Sequence, residues 1–222
     1  NWMKKVAVAL VCLLPLGLQA AKVDTLQVKS PSMNKSIEVV VVSPDVAATK
    51  ACPVIYLLHG YGGNARTWVG IKPDLPKIAD EKGIFFVCPD GKNTWYWDSP
   101  LNADVRYETF ISNELVKYVD SHYKTVADRK GRAITGLSMG GHGAMWNGLR
   151  HSDVFSAAGS TSGGVDIRPF PKNWEMSVQI GEKAKYPENW EKYTVINLVP
   201  TLRKDQIALI FDCGDSDFFL EV

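Results

Sequence analysis

Six short apolar runs punctuate the chain, at residues 37–43, 54–58, 84–87, 133–137, 156–159 and 207–211. None alternates strictly between apolar and polar positions. Turn residues follow them, as in His59-Gly60, Cys88-Pro89-Asp90-Gly91, Ser160-Thr161-Ser162-Gly163-Gly164 and Asp212-Cys213-Gly214-Asp215. Runs of this length and texture predict strands buried on both faces. The gaps carry helical spacing. Phe110, Ile111, Leu115, Tyr118, Val119 and His122 recur at threes and fours within 105–123, and further helices are predicted over 74–81 and 139–150. Strand alternating with helix predicts an α/β chain, with a mostly parallel central sheet and helices on both faces. Residues 163–203 are richer in Trp, Pro and Lys and less regular. They predict an insertion of short helices over the sheet, forming part of a pocket wall.

The first residues follow a different pattern. Met3 is followed by Lys4-Lys5, an apolar run over 6–14, and Pro15-Leu16-Gly17-Leu18-Gln19-Ala20-Ala21. A basic start, a short apolar stretch and small residues predict a secretory signal over 1–20, cleaved after Ala20. Asn1-Trp2 precede its natural start. The apolar run is too short to span a bilayer. The expected compartment is therefore a bacterial periplasm or the extracellular space, with no stable membrane insertion after cleavage. Residues 21–222 are expected to form a single domain.

Composition adds limits. Hydrophobic residues make up 45% of the 222 and charged residues 22%, as in an ordinary globular chain. Losing Lys4 and Lys5 takes the net charge from +1 to −1, and no basic stripe marks the chain as a nucleic-acid partner. Three cysteines remain, Cys52, Cys88 and Cys213, which is too few for a disulfide scaffold; buried positions at strand ends are expected for all three.

The sharpest chemical signal is Gly136-Leu137-Ser138-Met139-Gly140, continuing Gly141-His142-Gly143-Ala144. It closes a predicted strand and opens a predicted helix, the context of the nucleophile elbow of the α/β-hydrolase fold. The residues two before and two after the serine must lack side chains so that the backbone can pass. The turn points the Ser138 hydroxyl at a helix N-terminus, where the dipole favours developing negative charge. Acyl transfer also requires oxyanion donors. One is expected from the Met139 N–H and the other from the Tyr61 N–H in His59-Gly60-Tyr61-Gly62-Gly63. His59 itself is expected to bond to loop backbone. The order in this fold is serine, acid, histidine. Asp212, Asp215 and Asp217 follow the last predicted strand, and Asp217 is the first choice with Asp215 second. No histidine follows Asp217. His122 is expected in the core, His142 lies one turn past the serine, and His151 is expected to cap a helix. The expectation is that the chain lacks its C-terminal segment and with it the general base, leaving it inactive or weak. Asn93 and Trp95 are candidates to touch substrate. No cofactor and no metal is expected, since no His/Cys/Asp cluster has ligand spacing.

These stretches resemble the esterase D-like family: S-formylglutathione hydrolases, feruloyl and acetyl-xylan esterases of carbohydrate esterase family one, and mycolyltransferases. The similarity is carried by Leu58-His59-Gly60-Tyr61-Gly62-Gly63, Pro89-Asp90-Gly91 with Asn93-Thr94-Trp95-Tyr96, Arg106-Tyr107-Glu108, the stretch from Arg132 through Ser138 to Ala144, and Gly214-Asp215-Ser216-Asp217. The resemblance implies a serine ester hydrolase working through an acyl-enzyme on short acyl or aryl esters, of the secreted kind that acts on small-molecule or polysaccharide esters. It maps the acid onto Asp217, three residues after Gly214, and the oxyanion donors onto Tyr61 and Met139. Acyl transfer to a sugar, or carbohydrate binding on a scaffold without catalysis, are the alternatives.

Overall fold

The computed structural model describes residues 21–221. The predicted secretory signal therefore lies outside the described residues. Seven strands form one sheet in the order β1-β2-β4-β3-β5-β6-β7: β1 (Lys22–Ser30), β2 (Lys35–Ser43), β3 (Val54–Leu58), β4 (Phe85–Pro89), β5 (Arg132–Gly136), β6 (Ala157–Thr161) and β7 (Ala208–Asp212). β1 and β2 pair antiparallel, as do β2 and β4, and the remaining pairs are parallel. All six predicted strands are present. β1 escaped notice because its residues alternate between exposed and buried positions beside a single neighbour, so it carries no continuous apolar run.

Alternate residues of the inner strands enter two separate cores. Val39, Val41, Val54, Tyr56, Leu58, Phe85, Val87 and Ile134 point to one face, and Val40, Val42, Leu57, Phe86 and Cys88 to the other. That two-sided burial explains the unbroken apolar runs. The second face is covered by α1 (Thr67–Ile71) and α2 (Leu75–Lys82), through Trp68, Leu75 and Ala79. Towards β6 and β7 that face opens into a cavity of about 320 Å³ lined by Ile55, Ala133, Thr135, Ala157, Gly159 and Ile210.

The first face carries the larger core. The predicted helix over 105–123 is α3 (Tyr107–Thr109), a π-helical stretch (Phe110–Leu115) and α4 (Val116–His122). Its Phe110, Ile111, Leu115 and Val119 are fully buried. His122 departs from expectation: it is exposed and stacks on Tyr118 at 3.9 Å, because it falls on the last turn, beyond the reach of the core. Beside this helix lies α5 (Met139–Arg150), followed along the chain by the insertion with α6 (Met176–Ile180), α7 (Pro187–Lys192) and a 3₁₀ stretch (Val195–Thr201). Met176, Ile180, Trp190 and Val195 join the same core as Trp95 and Trp97. Cys52 and Cys88 are buried as expected, whereas Cys213 is exposed, since the turn carrying it projects past the end of β7.

Glu108 fastens α3 to α5. Its buried carboxylate accepts from Trp146 Nε1 at 2.6 Å, His151 Nε2 at 2.8 Å and Arg150 Nε at 3.1 Å. Burial pushes its carboxyl up, but the bonds and charges of His151 and Arg150 outweigh that and hold it below its ordinary value. A lowered folded-state pKa means that the contribution is present above the unfolded value and is lost as pH falls through the folded one. Glu108→Gln is expected to cost about 1–3 kcal/mol at pH 7. Urea denaturation of both proteins should show the difference shrinking as pH falls below the ordinary 4.5; a pH-independent difference would contradict the ionic account.

Candidate active site

The elbow is built by close approach. Ser138 has φ 52° and ψ −118°, a strained conformation for any residue with a side chain. Leu137 N–H donates to Leu58 O at 3.3 Å, Ser138 N–H to Thr161 O at 2.9 Å, and Gly140 N–H back to Leu137 O at 2.8 Å. A Cβ at Gly140 would collide with the carbonyls of Leu58 and His59, and one at Gly136 with the Gly140 backbone. The two glycines therefore let the first turn of α5 rest on the end of β3. Met139 N–H, at the first helical position, has no helical partner. Among the described residues no backbone bond uses it, nor the N–H of Tyr61.

The oxyanion-loop candidates are tied from below and from the side. Gly63 N–H donates to Gly60 O at 3.0 Å, closing a tight turn around Tyr61 and Gly62, and Gly62 has φ +78°. His59 is buried beneath it: Nδ1 meets Gly60 O at 2.7 Å and Nε2 accepts from Gly91 N–H at 2.9 Å. With those two bonds made, the ring is committed to loop backbone. Tyr96 OH donates to His59 O at 2.8 Å, while its ring fills the space that Gly91 and Gly143 leave open.

The other histidines have different surroundings. His142 is fully buried among Trp95, Trp97 and Trp146, and burial pushes its imidazole down to about 3. His151, at the C-cap of α5, bonds Glu108, and His122 turns back to Tyr118 O.

Asp217 reaches the same end of the sheet. Thr161 lies in register with Asp212, and Ser162 N–H donates to Asp212 O at 2.9 Å, so the turn 213–217 continues from the strand beside the one that receives Ser138 N–H. Asp217 N–H closes that turn on Gly214 O at 3.0 Å. Asp217 is partly buried while Asp215 is exposed. The Cys213 thiol is raised, by desolvation and then by the charge of Asp217. The C-terminal ends of β5, β6 and β7 thus converge, where open α/β sheets take their ligands.

The two substrate candidates have different fates. Asn93 stays at the loop: its Oδ1 accepts from Gly62 N–H at 2.8 Å and its Nδ2 donates to Glu175 at 2.9 Å. Trp95 is only 2% exposed and packs between Trp97 and His142, so its ring belongs to the core. Trp95 and Tyr96 both have positive φ, 57° and 58°, and both rings are buried. The aromatics nearer the surface are Trp174, Phe170 and Phe218, with ring centroids 5.3 Å and 5.7 Å from Trp174. Sequence reasoning missed Trp174 and Glu175, which become neighbours of the loop only through folding. Among the described residues no group of three or more His, Cys, Asp or Glu could hold a metal ion. No helix among them is long and apolar enough to cross a membrane.

The family model named Esterase matches residues 30–221. The chain belongs to the Esterase family. It is 30% identical over 149 residues to an esterase of Mycobacterium tuberculosis, covering 64% of this chain and 32% of that protein. It is 32% identical over 102 residues to an acetyl esterase of Caldicellulosiruptor saccharolyticus, covering 46% and 37%. The chain thus spans about a third of the length of these curated relatives. Among solved structures, a ferulic acid esterase is similar with a TM-score of 0.74 and 30% identity, over 91% of this chain and 82% of that one. The fold is the α/β-hydrolase fold of these esterases.

The elbow glycines give a direct test. Gly140→Ala must push a methyl group into backbone that cannot rotate aside, and overpacking of this kind costs about 1–3 kcal/mol. The variant should melt lower than wild type by circular dichroism, whereas Gly70→Ala, where the added carbon meets nothing within 4 Å, should melt close to wild type.

Proposed function

We propose that this protein is a serine carboxylic-ester hydrolase with Ser138 as nucleophile, Asp217 as the acid of its triad, and the Tyr61 and Met139 N–H groups as oxyanion donors. The observation that carries the reading is the strained Ser138 at the head of α5, together with the Met139 and Tyr61 N–H groups, which no backbone bond among the described residues uses. In the first step Ser138 Oγ attacks the ester carbonyl and its proton passes to a base. The carbonyl oxygen becomes an oxyanion held by the two N–H groups, and the alcohol leaves with a proton. Water then takes the place of the alcohol and releases the acid, regenerating the serine.

The base is proposed to be a histidine that these 222 residues do not contain, because His59, His122 and His151 hydrogen-bond elsewhere and His142 is fully buried among Trp95, Trp97 and Trp146. The proposed substrates are short acyl or aryl esters, probe-sized ones included, of the carbohydrate-linked kind. Family membership, the similar ferulic acid esterase and the aromatic group around Trp174 support that choice. A secreted or periplasmic site of action is part of the same proposal.

Two measurements test it. In the gene product that carries the base, Ser138→Ala should abolish nitrophenyl-acetate turnover, and retained turnover in the purified variant would refute the nucleophile. Residues 1–222 alone should turn over more slowly by on the order of a millionfold, the usual result of removing a base from a serine triad. Robust turnover by that chain would instead make one of its own histidines the base.

A further inference from the structure

The insertion reaches the proposed oxyanion loop through Glu175, and its backbone is strained there. Trp174 and Glu175 are consecutive residues with positive φ, 47° and 55°. Neither is glycine, and such conformations cost of order 1 kcal/mol or more each. The turn they make directs two groups towards the elbow side. Trp174 O accepts from Trp95 Nε1 at 2.9 Å. The Glu175 Oε2 atom accepts from Tyr61 OH at 2.8 Å and from Asn93 Nδ2 at 2.9 Å. The same Asn93 holds Gly62 N–H through its Oδ1 at 2.8 Å.

The stability gained is small. Glu175 is exposed and Tyr61 is 42% exposed, so these bonds compete with water and contribute little to folding. Strain kept for weak bonds points to a requirement other than stability. The geometry shows what the bonds restrain. Tyr61 is gripped at its phenol, and the next residue is gripped at its backbone through Asn93. The peptide carrying the Tyr61 N–H is held at its Gly60 carbonyl by Gly63 N–H and His59 Nδ1, and the Glu175 carboxylate, 114 residues away, adds a restraint on the Tyr61 side chain and on the peptide that follows. In keeping with the contact, the Tyr61 phenol is raised above its ordinary value, first by its hydrogen bond to Glu175.

We infer that Glu175 is a positioning residue, which orients the Tyr61 N–H by clamping the Tyr61 side chain and, through Asn93, the Gly62 backbone. The inference rests on the proposed role of Tyr61 as an oxyanion donor. The carboxylate does not touch the reacting atoms. It fixes the direction of one donor before substrate arrives, so its effect falls on the transition state more than on substrate binding. It also makes the strength of the oxyanion hole depend on the docking of the insertion.

The test compares Glu175→Ala, Glu175→Gln and Tyr61→Phe in the gene product that carries the base, with Ser138→Ala as control. Removing an oxyanion donor outright costs about 100- to 1000-fold in kcat; a misaligned donor should cost less, so Glu175→Ala is expected to lower kcat roughly 10- to 100-fold with KM little changed. Glu175→Gln keeps an acceptor oxygen and should recover most of the loss. Glu175→Ala combined with Tyr61→Phe should be little worse than either alone. Amide hydrogen exchange supplies a readout independent of turnover, because Gly62 should lose protection in Glu175→Ala in the 222-residue chain itself. Wild-type kcat in Glu175→Ala alongside an inactive Ser138→Ala would overturn this inference alone. Turnover retained by Ser138→Ala would overturn the function on which it rests. Unchanged Gly62 exchange would overturn the clamp whatever the activity.

Discussion

The first turn of α5 rests directly on the last residue of β3, and the rest of the site depends on that contact. The backbone of Gly140 lies against the Leu58 and His59 carbonyls, at a distance that leaves no room for a Cβ. The Leu58 carbonyl also receives Leu137 N–H and Trp68 Nε1, so a single peptide group locates the elbow, the strand end and a helix of the opposite layer. Ser138 is held in its strained conformation because the groups on both sides of it are already fixed. The candidate oxyanion loop begins at the residue after the same strand, so Ser138 and the candidate donors share one anchor.

The contact has a cost that is met elsewhere in α5. Gly140, Gly141, Gly143 and Gly148 lie within its twelve residues, and each glycine is less favourable than alanine by about 1 kcal/mol. By itself this segment is a poor helix. All but the last of its residues are buried, and each of Met145, Trp146 and Leu149 contributes about 1.5–3 kcal/mol of apolar burial. The glycines serve separate neighbours: Gly140 faces β3, Gly143 admits the Tyr96 ring, and Gly148 lies against Ala158 of β6. At the far end, Glu108 gathers Trp146, Arg150 and His151, so the helix is secured at its C-terminus as well as at the elbow.

Around this rigid centre the site is completed by segments with less regular backbone. The turn 92–96, the turn at 174–175 and the loop after β7 each supply one part. Positive φ values at Lys92, Trp95, Tyr96, Trp174 and Glu175 accompany the first two. A scaffold of buried parallel strands supplies the fixed reference, and strained loops set the details of what borders the loop at Tyr61. Family membership and fold are shared with esterases, and the Glu175 contact depends on the docking of the segment 163–203.

Periodicity and local motifs were enough to determine the inner strands, α2, α5 and the serine elbow. Each is a local matter: both-face burial leaves a continuous apolar run, and the elbow requires glycine at fixed offsets from Ser138. The half-exposed β1 left no such run, and the exposure of His122 depended on where the helix end falls relative to its neighbours. For Trp95, an aromatic residue beside a strand end reads alike whether it faces substrate or core, and only its packing against Trp97 and His142 decided that it turns inward. Trp174 and Glu175 lie far along the chain from Tyr61 and Asn93, in a segment without strong periodicity. Their meeting is a long-range event set by the docking of the insertion on the sheet. The sequence by itself determined the serine elbow and the strand that presents it, because steric rules act between residues close along the chain; only the tertiary structure decided which distant side chains hold the loop at Tyr61, because that choice depends on how separate layers pack.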